Sequence, residues 1–506
     1  MFKQDAVQAV PKKTTRRSIL LDWLRTWELY PLVLVAGFLR FYQLNTTEFD
    51  QDQAILFRMA HDAFSHGLLS ATSNTASIGI SNPAGVIYLF ILPAFLSPNP
   101  LGGAILVAVC TTLAVLLTYF FTRRYYGRLA ATVAALLYAT AYRPLIYARF
   151  IWQPNLMPPF VLLFLFALFF GVVERRKGWL FPAVLLLGIL YQMHAITILL
   201  AIPLAIAVLL APRTLCWRDI VFACIGLVIL FFPYLLWEVY THFNDLHIVF
   251  TLAQQHSRID GQALRIYRGF LAPIEEQPTD KHVVPYTLTP LFSWLQYAMP
   301  ALVAFGLISL LLALVVPQLW GEPKADTGSS DEERASIRLW WRNLRADRNR
   351  CGLIVLLVWQ VVPLLILSRH AIDLHAQYFF MFLPGPFMFV GIFFACMNRW
   401  LRRQQNWLRH TRPALYVFVF LLVAAQTLGS TAWMLDATQG NISNDAFTPY
   451  HNDLLSLKQA LNDADALAQA HHLNHVYISR DETTQTALGY LSEQMHTPTT
   501  IMSLRI

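Results

Sequence analysis

The chain has 506 residues, of which 56% are hydrophobic and only 13% are charged, and its net charge is +8. Because soluble proteins of this size carry about a quarter of their residues as charged ones, the composition excludes an ordinary soluble domain. Runs of about 20 apolar residues recur, each long enough to cross a hydrocarbon core about 30 Å thick. The sequence therefore predicts an all-α polytopic membrane protein, and its positive charge is not interpreted as a signal for nucleic-acid binding.

Hydropathy predicts about eleven transmembrane helices. In chain order they cover residues 29–44, 101–121, 129–143, 155–173, 178–194, 196–211, 219–240, 293–317, 352–369, 375–397 and 413–434. The apolar stretch "GVIYLFILPAFL" at 85–96 is too short to span comfortably and contains Pro93. We expect it to lie along the outer membrane face as an interfacial helix.

The basic residues predict how the chain is oriented in the membrane. Lys and Arg concentrate in short cytoplasmic loops, and most of the 38 in this chain fall on one side if the N-terminus is cytoplasmic. This orientation places the C-terminus outside the cytoplasm. We expect a multi-pass protein of the plasma membrane.

The predicted domain organisation has three parts. Residues 1–28 form a basic cytoplasmic tail, residues 29–434 form the transmembrane module, and residues 435–506 form a small extracytoplasmic α/β unit. The module carries outer loops at 45–100, 144–154 and 241–292 and a polar cytoplasmic linker at 318–350. In the C-terminal unit, "NDLLSLKQALNDADALAQA" and "TTQTALGYLSEQ" predict helices, whereas "HVYIS" and "TTIMSL" predict strands.

The stretch "EFDQDQA" at 48–54 packs three carboxylates just beyond the first span. Asp50 suits a helix N-cap, and Asp52 would then lie in the first turn, where the helix dipole favours a negative charge. The same stretch sits where a lipid headgroup would lie, and a carboxylate there suits a proton acceptor. The residues alone leave both interpretations open.

Cations and aromatic rings gather on the same predicted side. Arg58 follows the acidic stretch, and Arg149 lies in "YRPLIYARFIWQPN" at 142–155. The stretch "SRHAIDLHAQYFFMFLPGPF" at 368–387 adds Arg369, His375 and Tyr378. Arginines suit a phosphate group, and aromatic faces suit a sugar ring or an isoprenoid chain. For the arginines, the alternative is that their side chains extend to the membrane interface.

Several of these stretches together resemble a known family. "LRFYQL", "FDQDQAILFRMAHDAF", "SNPAGVIYLF", "RRYYGRLAATVAALLYA", "YARFIWQPNLMPPF" and "HAQYFFMFLPGPFMFVGI" are similar to motifs of the GT-C membrane glycosyltransferases. The closer likeness is to the branch that contains protein O-mannosyltransferases and lipid A aminoarabinose transferases, which is glycosyltransferase family 39-like. The resemblance extends over most of residues 30–400 and weakens in the loops and the C-terminal tail.

The resemblance implies a transferase that takes a sugar from a polyprenyl-phosphate donor. In such enzymes the first outer loop carries an Asp-Glu type motif whose Asp acts as base. The matching positions here are Asp52 and Gln53, so an amide replaces the family's Glu, and Asp50 adds a carboxylate two residues earlier. This departure leaves open which of Asp50 and Asp52 is the base, and it weakens the case for a carboxylate-bound metal.

The chemistry agrees with the resemblance. A polyprenyl phosphate is a good leaving group, so it needs positive charge on its oxygens rather than a general acid. One carboxylate can then remove the proton of the acceptor hydroxyl, and direct displacement inverts the anomeric centre. We expect Asp52 as the general base with Asp50 as helper or substitute. Arg58, Arg149 and Arg369 are candidates for the phosphate, and His375 and Tyr378 for orienting donor or acceptor.

Other functions compete with this hypothesis. A transporter or flippase of lipid-linked sugars would place polar groups near the membrane midplane, often on repeated helices, whereas the charges here crowd the outer ends of the spans. An oligosaccharide ligase or polymerase would also suit long outer loops with Arg and His. The expected partners are the lipid-linked donor, a lipid, glycan or protein acceptor, and membrane lipids, without nucleic acid. No cofactor is indicated, and a divalent cation stays open.

Overall fold

The computed structural model describes residues 26–76, 79–271, 289–315, 337–438, 453–480 and 485–503. The predicted tail at 1–28, the loop 241–292 and the linker 318–350 therefore lie partly outside the described residues, as does the start of the C-terminal unit.

The described chain is mostly helical. Its first ten helices are α1 (Leu29–Phe41), α2 (Gln51–Ser65), α3 (Gly85–Leu96), α4 (Leu101–Tyr126), α5 (Arg128–Thr140), α6 (Tyr142–Tyr147), α7 (Met157–Val172), α8 (Leu180–Met193), α9 (Ala201–Leu210) and α10 (Trp217–Tyr240). The others are α11 (Asn244–Ala253), α12 (Gln262–Gly269), α13 (Thr289–Val315), α14 (Ile337–Ala346), α15 (Arg348–Leu367), α16 (Gly385–Arg403), α17 (Arg412–Thr438), α18 (Leu454–Ala470) and α19 (Gln485–Ser492).

Strands are few and short. β1 (Thr72–Thr75) pairs antiparallel with β2 (Ser81–Pro83), and β3 (Arg258–Ile259) pairs antiparallel with β4 (Arg369–His370). β5 (Val476–Arg480) pairs in parallel with β6 (Thr499–Ser503). The four elements predicted for the C-terminal unit are thus present as α18, β5, α19 and β6.

Within the described residues, six helices are long and apolar enough to cross a membrane, and the number is seven if the bent pair at 376–403 counts as one span. They correspond to α4, α7, α10, α13, α15 and α17; the spans at α7 and α17 begin with the preceding 3-10 helices, at Gln153 and Trp407. The remaining predicted spans correspond to shorter apolar helices, including α1, α5, α8 and α9. The chain is therefore an all-α, multi-pass membrane protein, as the sequence predicts.

The outer surface of the helical bundle agrees with a lipid environment. On α10, Ile229 is 69% exposed and Phe232 is 56% exposed, and most other apolar side chains of this helix also face outward. Such a surface is stable in hydrocarbon and not in water. By contrast, α5 is almost entirely buried, because its alanines let α4 and α16 approach closely.

Two predicted spans differ in detail from the structure. The span predicted at 375–397 is broken, because a 3-10 helix at Ala376–Phe382 meets α16 at an angle of 41°. Pro384 and Pro386 explain the break, since a proline removes a backbone donor and disfavours a helical residue before it. The span predicted at 196–211 begins as a 3-10 helix, Ala195–Leu200, before α9.

Candidate functional site

The acidic stretch forms the start of α2. The Asp50 carboxylate accepts a hydrogen bond from the backbone N–H of Gln51 at 2.8 Å, and the Gln53 side chain accepts one from the Asp50 N–H at 3.0 Å. The Gln53 N–H also donates to the Asp50 carboxylate, and the reciprocal bonds between Asp50 and Gln53 form a capping box, which satisfies backbone donors at the helix start. Gln53 also donates to the buried carboxylate of Glu48 at 2.7 Å. Asp50 is therefore the N-cap of α2, and the amide at the family's Glu position closes the cap.

Asp52 lies two residues after Asp50, in the first turn of α2, and has a different environment. Its side chain is exposed, and Oδ1 accepts a hydrogen bond from the side-chain amide of Asn74 at 3.3 Å. The Oδ1 atom of Asn74 in turn accepts from the amide of Gln153. The structure thus joins the acidic stretch to the "FIWQPN" stretch of the second predicted outer loop, two motifs that lie about 100 residues apart in the chain.

Arg149 is buried and holds backbone atoms. Its guanidinium donates to the carbonyl oxygens of Leu39 at 2.9 Å, Tyr42 at 2.8 Å and Gln43 at 3.2 Å. Burial, with a smaller contribution from the nearby charge of Arg40, lowers the pKa of Arg149 to about 10. Arg149 is therefore still protonated at neutral pH, and it fixes the chain that leads from α1 into the acidic stretch.

Arg58 faces the C-terminal unit. Its guanidinium forms an ion pair with Glu493 and lies 5.7 Å from the centre of the Tyr490 ring. The Tyr490 ring packs edge-on against Phe57 at 5.9 Å, and its hydroxyl donates to the carbonyl of Pro98 at 2.7 Å. The start of α18 also contacts the acidic stretch, since the Leu454 N–H donates to the Thr47 carbonyl at 2.8 Å. The C-terminal unit therefore covers part of the first outer loop.

The three remaining candidates lie on the segment that runs from β4, which contains Arg369, into the 3-10 helix before α16, which His375 caps and which contains Tyr378. His375 is exposed, and its ring meets the buried Tyr378 ring edge-on at 5.8 Å. The ring of His194, at the end of α8, lies 5.0 Å from Tyr378 on another side. Arg369 is exposed and donates to the hydroxyl of Ser257 at 2.8 Å.

Ion pairs and a hydrogen bond connect this segment to the third predicted outer loop. The Nε2 atom of His370 lies 3.0 Å from Asp260 Oδ1, and Arg258 forms ion pairs with Asp260 and Asp373. The hydrogen bond with His370, followed by one from the Gln262 N–H, holds the pKa of Asp260 below its usual value. Together with the β3–β4 pair, these contacts fix the segment that carries His375.

An aromatic cluster connects the second outer loop with the two segments just described. Tyr147 lies 4.8 Å from Phe380 and 6.2 Å from Phe270, and Phe270 lies 5.5 Å from Phe380. Trp152 stacks near Tyr147 at 6.3 Å. The rings come from three separate stretches of chain, so packing among them brings these stretches together at this end of the bundle.

The structure therefore gathers the candidates into two groups. Asp50, Asp52 and Arg58 lie at the N-cap of α2 and on α2 itself, and Arg149 holds the chain that leads into this helix. Arg369 lies in β4, and His375 and Tyr378 lie at the 3-10 helix before α16. Sequence reasoning missed Asn74 and Glu493, and it quoted Gln153 without a role. Among the described residues, no group of three or more His, Cys, Asp or Glu side chains could hold a metal ion.

Comparison with known proteins agrees with this architecture. Residues 83–237, less than half of the chain, match the family described as dolichyl-phosphate-mannose-protein mannosyltransferase. A sequence search of curated proteins finds no match.

Solved structures share the fold at low sequence identity. ArnT from Cupriavidus metallidurans, bound to undecaprenyl phosphate, is 13% identical with a TM-score of 0.54, over 94% of this chain and 85% of that one. The oligosaccharyltransferase AglB from Archaeoglobus fulgidus, in complex with an inhibitory peptide and a dolichol-phosphate, is 12% identical with a TM-score of 0.50, over 94% and 64% of the two chains. These findings confirm the resemblance: the chain has the fold of the GT-C membrane glycosyltransferases.

Proposed function

We propose that this protein is a membrane glycosyltransferase that moves a sugar from a polyprenyl-phosphate donor to an acceptor hydroxyl, with inversion at the anomeric carbon. The observation that carries the proposal is the environment of Asp52 within a GT-C fold. One oxygen of this exposed carboxylate is held by Asn74, and the other has no protein partner among the described residues. The family match and the lipid-phosphate complexes of the two structural neighbours support the same class of donor.

Asp52 acts as the general base in this proposal. As the acceptor oxygen attacks the anomeric carbon, its proton passes to the free oxygen of Asp52, and the bond from the anomeric carbon to the phosphate oxygen breaks. The bonding electrons leave on the polyprenyl phosphate. Asp50 assists by holding the first turn of α2, because its carboxylate is committed to the capping box. The helix N-terminus favours negative charge at both positions.

Positive charge stabilises the leaving phosphate. Arg58 and Arg369 are accessible on this side of the bundle and can donate to phosphate oxygens, and a guanidinium suits them geometrically. Arg149 contributes its buried charge while its donors remain on backbone carbonyls. His375 and Tyr378 orient the sugar or the acceptor, since an aromatic face and a ring nitrogen suit both.

The proposal includes the membrane orientation and the domain organisation. The N-terminus is cytoplasmic, the C-terminal unit from 435 is extracytoplasmic, and transfer takes place at the outer face of the plasma membrane. The charge bias supports this orientation, and so does the grouping of the candidate residues with the C-terminal unit at one end of the bundle.

The test is transfer of radiolabelled sugar from a panel of polyprenyl-phosphate monosaccharides and oligosaccharides into total membranes. The purified full-length protein is compared with Asp52→Asn and with Asp62→Asn, a control on the same helix. We expect transfer with the wild type and the control and a loss of at least 100-fold with Asp52→Asn. Parallel assays with EDTA decide whether a divalent cation assists.

Other outcomes would redirect the proposal. Equal transfer by Asp52→Asn would remove Asp52 as the base. Transfer of oligosaccharides alone would favour an oligosaccharide ligase or polymerase. Movement of labelled lipid across reconstituted vesicles without transfer would favour a flippase, and the anomeric configuration of the product tests inversion.

A further inference from the structure

A chain of two side-chain amides leads away from Asp52. Asn74, in β1, donates to Asp52 Oδ1 at 3.3 Å and accepts from Gln153 through its own Oδ1. Gln153 is only 3% exposed, and it belongs to the second predicted outer loop. Neither amide is among the residues assigned above to the reaction.

The direction of each hydrogen bond in this chain follows from the first. An ionised carboxylate can only accept, so Asn74 must turn its NH₂ group toward Asp52. Its oxygen then faces Gln153, which must present an NH₂ group in turn. The polarity of both amides is therefore set by the negative charge of Asp52, and Gln153 reinforces the orientation that stabilises this charge.

Two observations indicate that this chain of hydrogen bonds is a specific feature of the site and not a chance contact. The backbone of Asn74 is fixed, because its carbonyl accepts from the Asn82 side chain at 2.8 Å across the β1–β2 pair. Gln153 keeps its orientation although its Oε1 atom is buried without a hydrogen-bond partner. An unsatisfied buried acceptor is destabilising, so stability alone does not explain the arrangement.

We propose that Asn74 is a positioning residue that orients the Asp52 carboxylate and directs its free oxygen toward the acceptor, and that Gln153 orients Asn74. The inference rests on the proposed role of Asp52. A neutral amide suits this task because it donates to the carboxylate without forming an ion pair that would quench its basicity. The residues act through Asp52 and need not touch the substrate.

The variants Asn74→Ala, Asn74→Asp, Gln153→Ala and Gln153→Glu test the inference in the full-length protein. We expect Asn74→Ala to lower kcat about 10- to 100-fold with little change in KM, because a misdirected base is costly. Asn74→Asp places a second carboxylate against Asp52 and shifts the acid limb of the pH–rate profile to higher pH. Gln153→Glu keeps the shape of the side chain but removes the donor, so Asn74 turns its oxygen toward Asp52 and kcat falls more than in Gln153→Ala.

A second readout does not depend on turnover. Carbodiimide labels protonated carboxyls, and mass spectrometry measures the labelling of Asp52 as a function of pH. We expect the midpoint for Asp52 to rise in Asn74→Asp, because a second carboxylate disfavours the charged form, whereas Asp62 on the same helix should label as in the wild type. Asn406→Ala, which removes a capping amide in the loop before α17, should change neither readout.

The outcomes separate the two proposals. An unmoved Asp52 midpoint in Asn74→Asp, or equal activity of Gln153→Glu and Gln153→Ala, would overturn the positioning role. A shifted midpoint in a protein that transfers no sugar would support the amide chain and contradict the proposed function instead.

Discussion

Asp50 and Asp52 are two residues apart, yet they have different surroundings. The first caps α2, whereas the second is exposed beyond the cap. Asn caps a helix about as well as Asp, whereas Ala costs about 0.5–2 kcal/mol. We therefore expect Asp50→Asn to retain most of the transferase activity and Asp50→Ala to lower both thermal stability and activity. Initial rates and thermal unfolding in detergent measure the two effects, and a complete loss in Asp50→Asn would show that Asp50 itself takes part in proton transfer.

Arg58 has a carboxylate partner that a donor phosphate would replace. Hydrogen bonds to charged groups contribute about 1.5–3 kcal/mol, so Arg58→Ala should lower kcat/KM for the donor by about 10- to 100-fold. Glu493→Gln is the matched control, because it removes the competing charge and leaves Arg58 free. We expect this variant to keep its affinity for the donor or to gain some, as measured by KM. Since an exposed ion pair adds little stability, a KM that rises equally in both variants would contradict a direct role for Arg58.

For individual residues, the sequence predicts which residue types form the candidate site better than it predicts their hydrogen-bond partners. The acidic stretch and its helix start are recognisable from seven residues, because capping is local. Asn74 and Gln153 could not be assigned as partners of Asp52, since they lie 22 and 101 residues beyond it in the chain and no pattern links either of them to the acidic stretch. Arg149 was recognisable as an unusual charge, but the three backbone carbonyls at the end of α1 and just after it can be identified as its partners only once the chain is folded.

At the scale of the helices, α5 and α16 pack closely against each other at Gly391, where the absence of a side chain makes room for the backbone of α5. A Cβ atom on Gly391 would lie 2.3 Å from the Ala130 carbonyl oxygen. Gly391→Ala should therefore destabilise the protein by about 1–3 kcal/mol, the usual cost of overpacking. Gly37→Ala in α1 is the control, because nothing lies within 4 Å of the added atom. Thermal unfolding in detergent should separate the two variants, and equal Tm values would contradict tight packing of α5 against α16.

In the C-terminal unit, one carboxylate ties α18 to β6. Asp465 accepts from the backbone N–H groups of His496 at 3.1 Å and Thr497 at 2.9 Å, and hydrogen bonds from Thr497 and His496 hold the pKa of Asp465 at about 2. A lowered pKa stabilises the fold above the unfolded value of 3.8, and this contribution disappears as the pH falls toward 2.

Asp465→Asn should therefore unfold at a lower temperature than the wild type at pH 6. The difference in Tm should shrink between about pH 4 and pH 2, because both side chains are then neutral. Asp463→Asn, at an exposed position of the same helix, should behave as the wild type throughout. Calorimetry in detergent at a series of pH values measures this, and a difference that persists at pH 2 would contradict the role of ionised Asp465.

The elements themselves were largely predictable. Apolar runs identified α4, α10 and α17 because membrane spans need length and composition more than tertiary context. The short buried helix α5 was also identified, although its full burial could not be, since its alanines are compatible with either a lipid face or a helix interface. The bend before α16 had a signal in "LPGP", but a proline in a span can be tolerated or can break it.

At the scale of the whole molecule, the contacts between loops divide the loops into two sets, one at each end of the helical bundle. Arg123 donates to Thr26 at 2.8 Å, Arg124 to Glu174 at 2.7 Å, and Arg175 to the Arg345 carbonyl. These residues come from segments that the charge bias assigns to the cytoplasm. At the other end, Asn74 meets Gln153, and the Ser81 N–H donates to Asp245 at 3.0 Å. Loops predicted to share a side therefore contact one another, which agrees with the predicted alternation of spans.

The alternation leaves the direction of insertion to be tested by experiment. In a chain whose native cysteines are replaced by serine, Gln494→Cys lies in the C-terminal unit and Gln405→Cys lies in the basic loop before α17, and both positions are exposed. We expect a membrane-impermeant maleimide to label Gln494→Cys on intact cells and Gln405→Cys only after permeabilisation, because Lys and Arg retain their loops in the cytoplasm. The opposite pattern would turn the candidate site toward the cytoplasm, where a donor would have to be presented on the inner leaflet. Asp52 would still act as the base in that orientation. Transfer in open membranes would therefore persist, although the proposed orientation would be wrong.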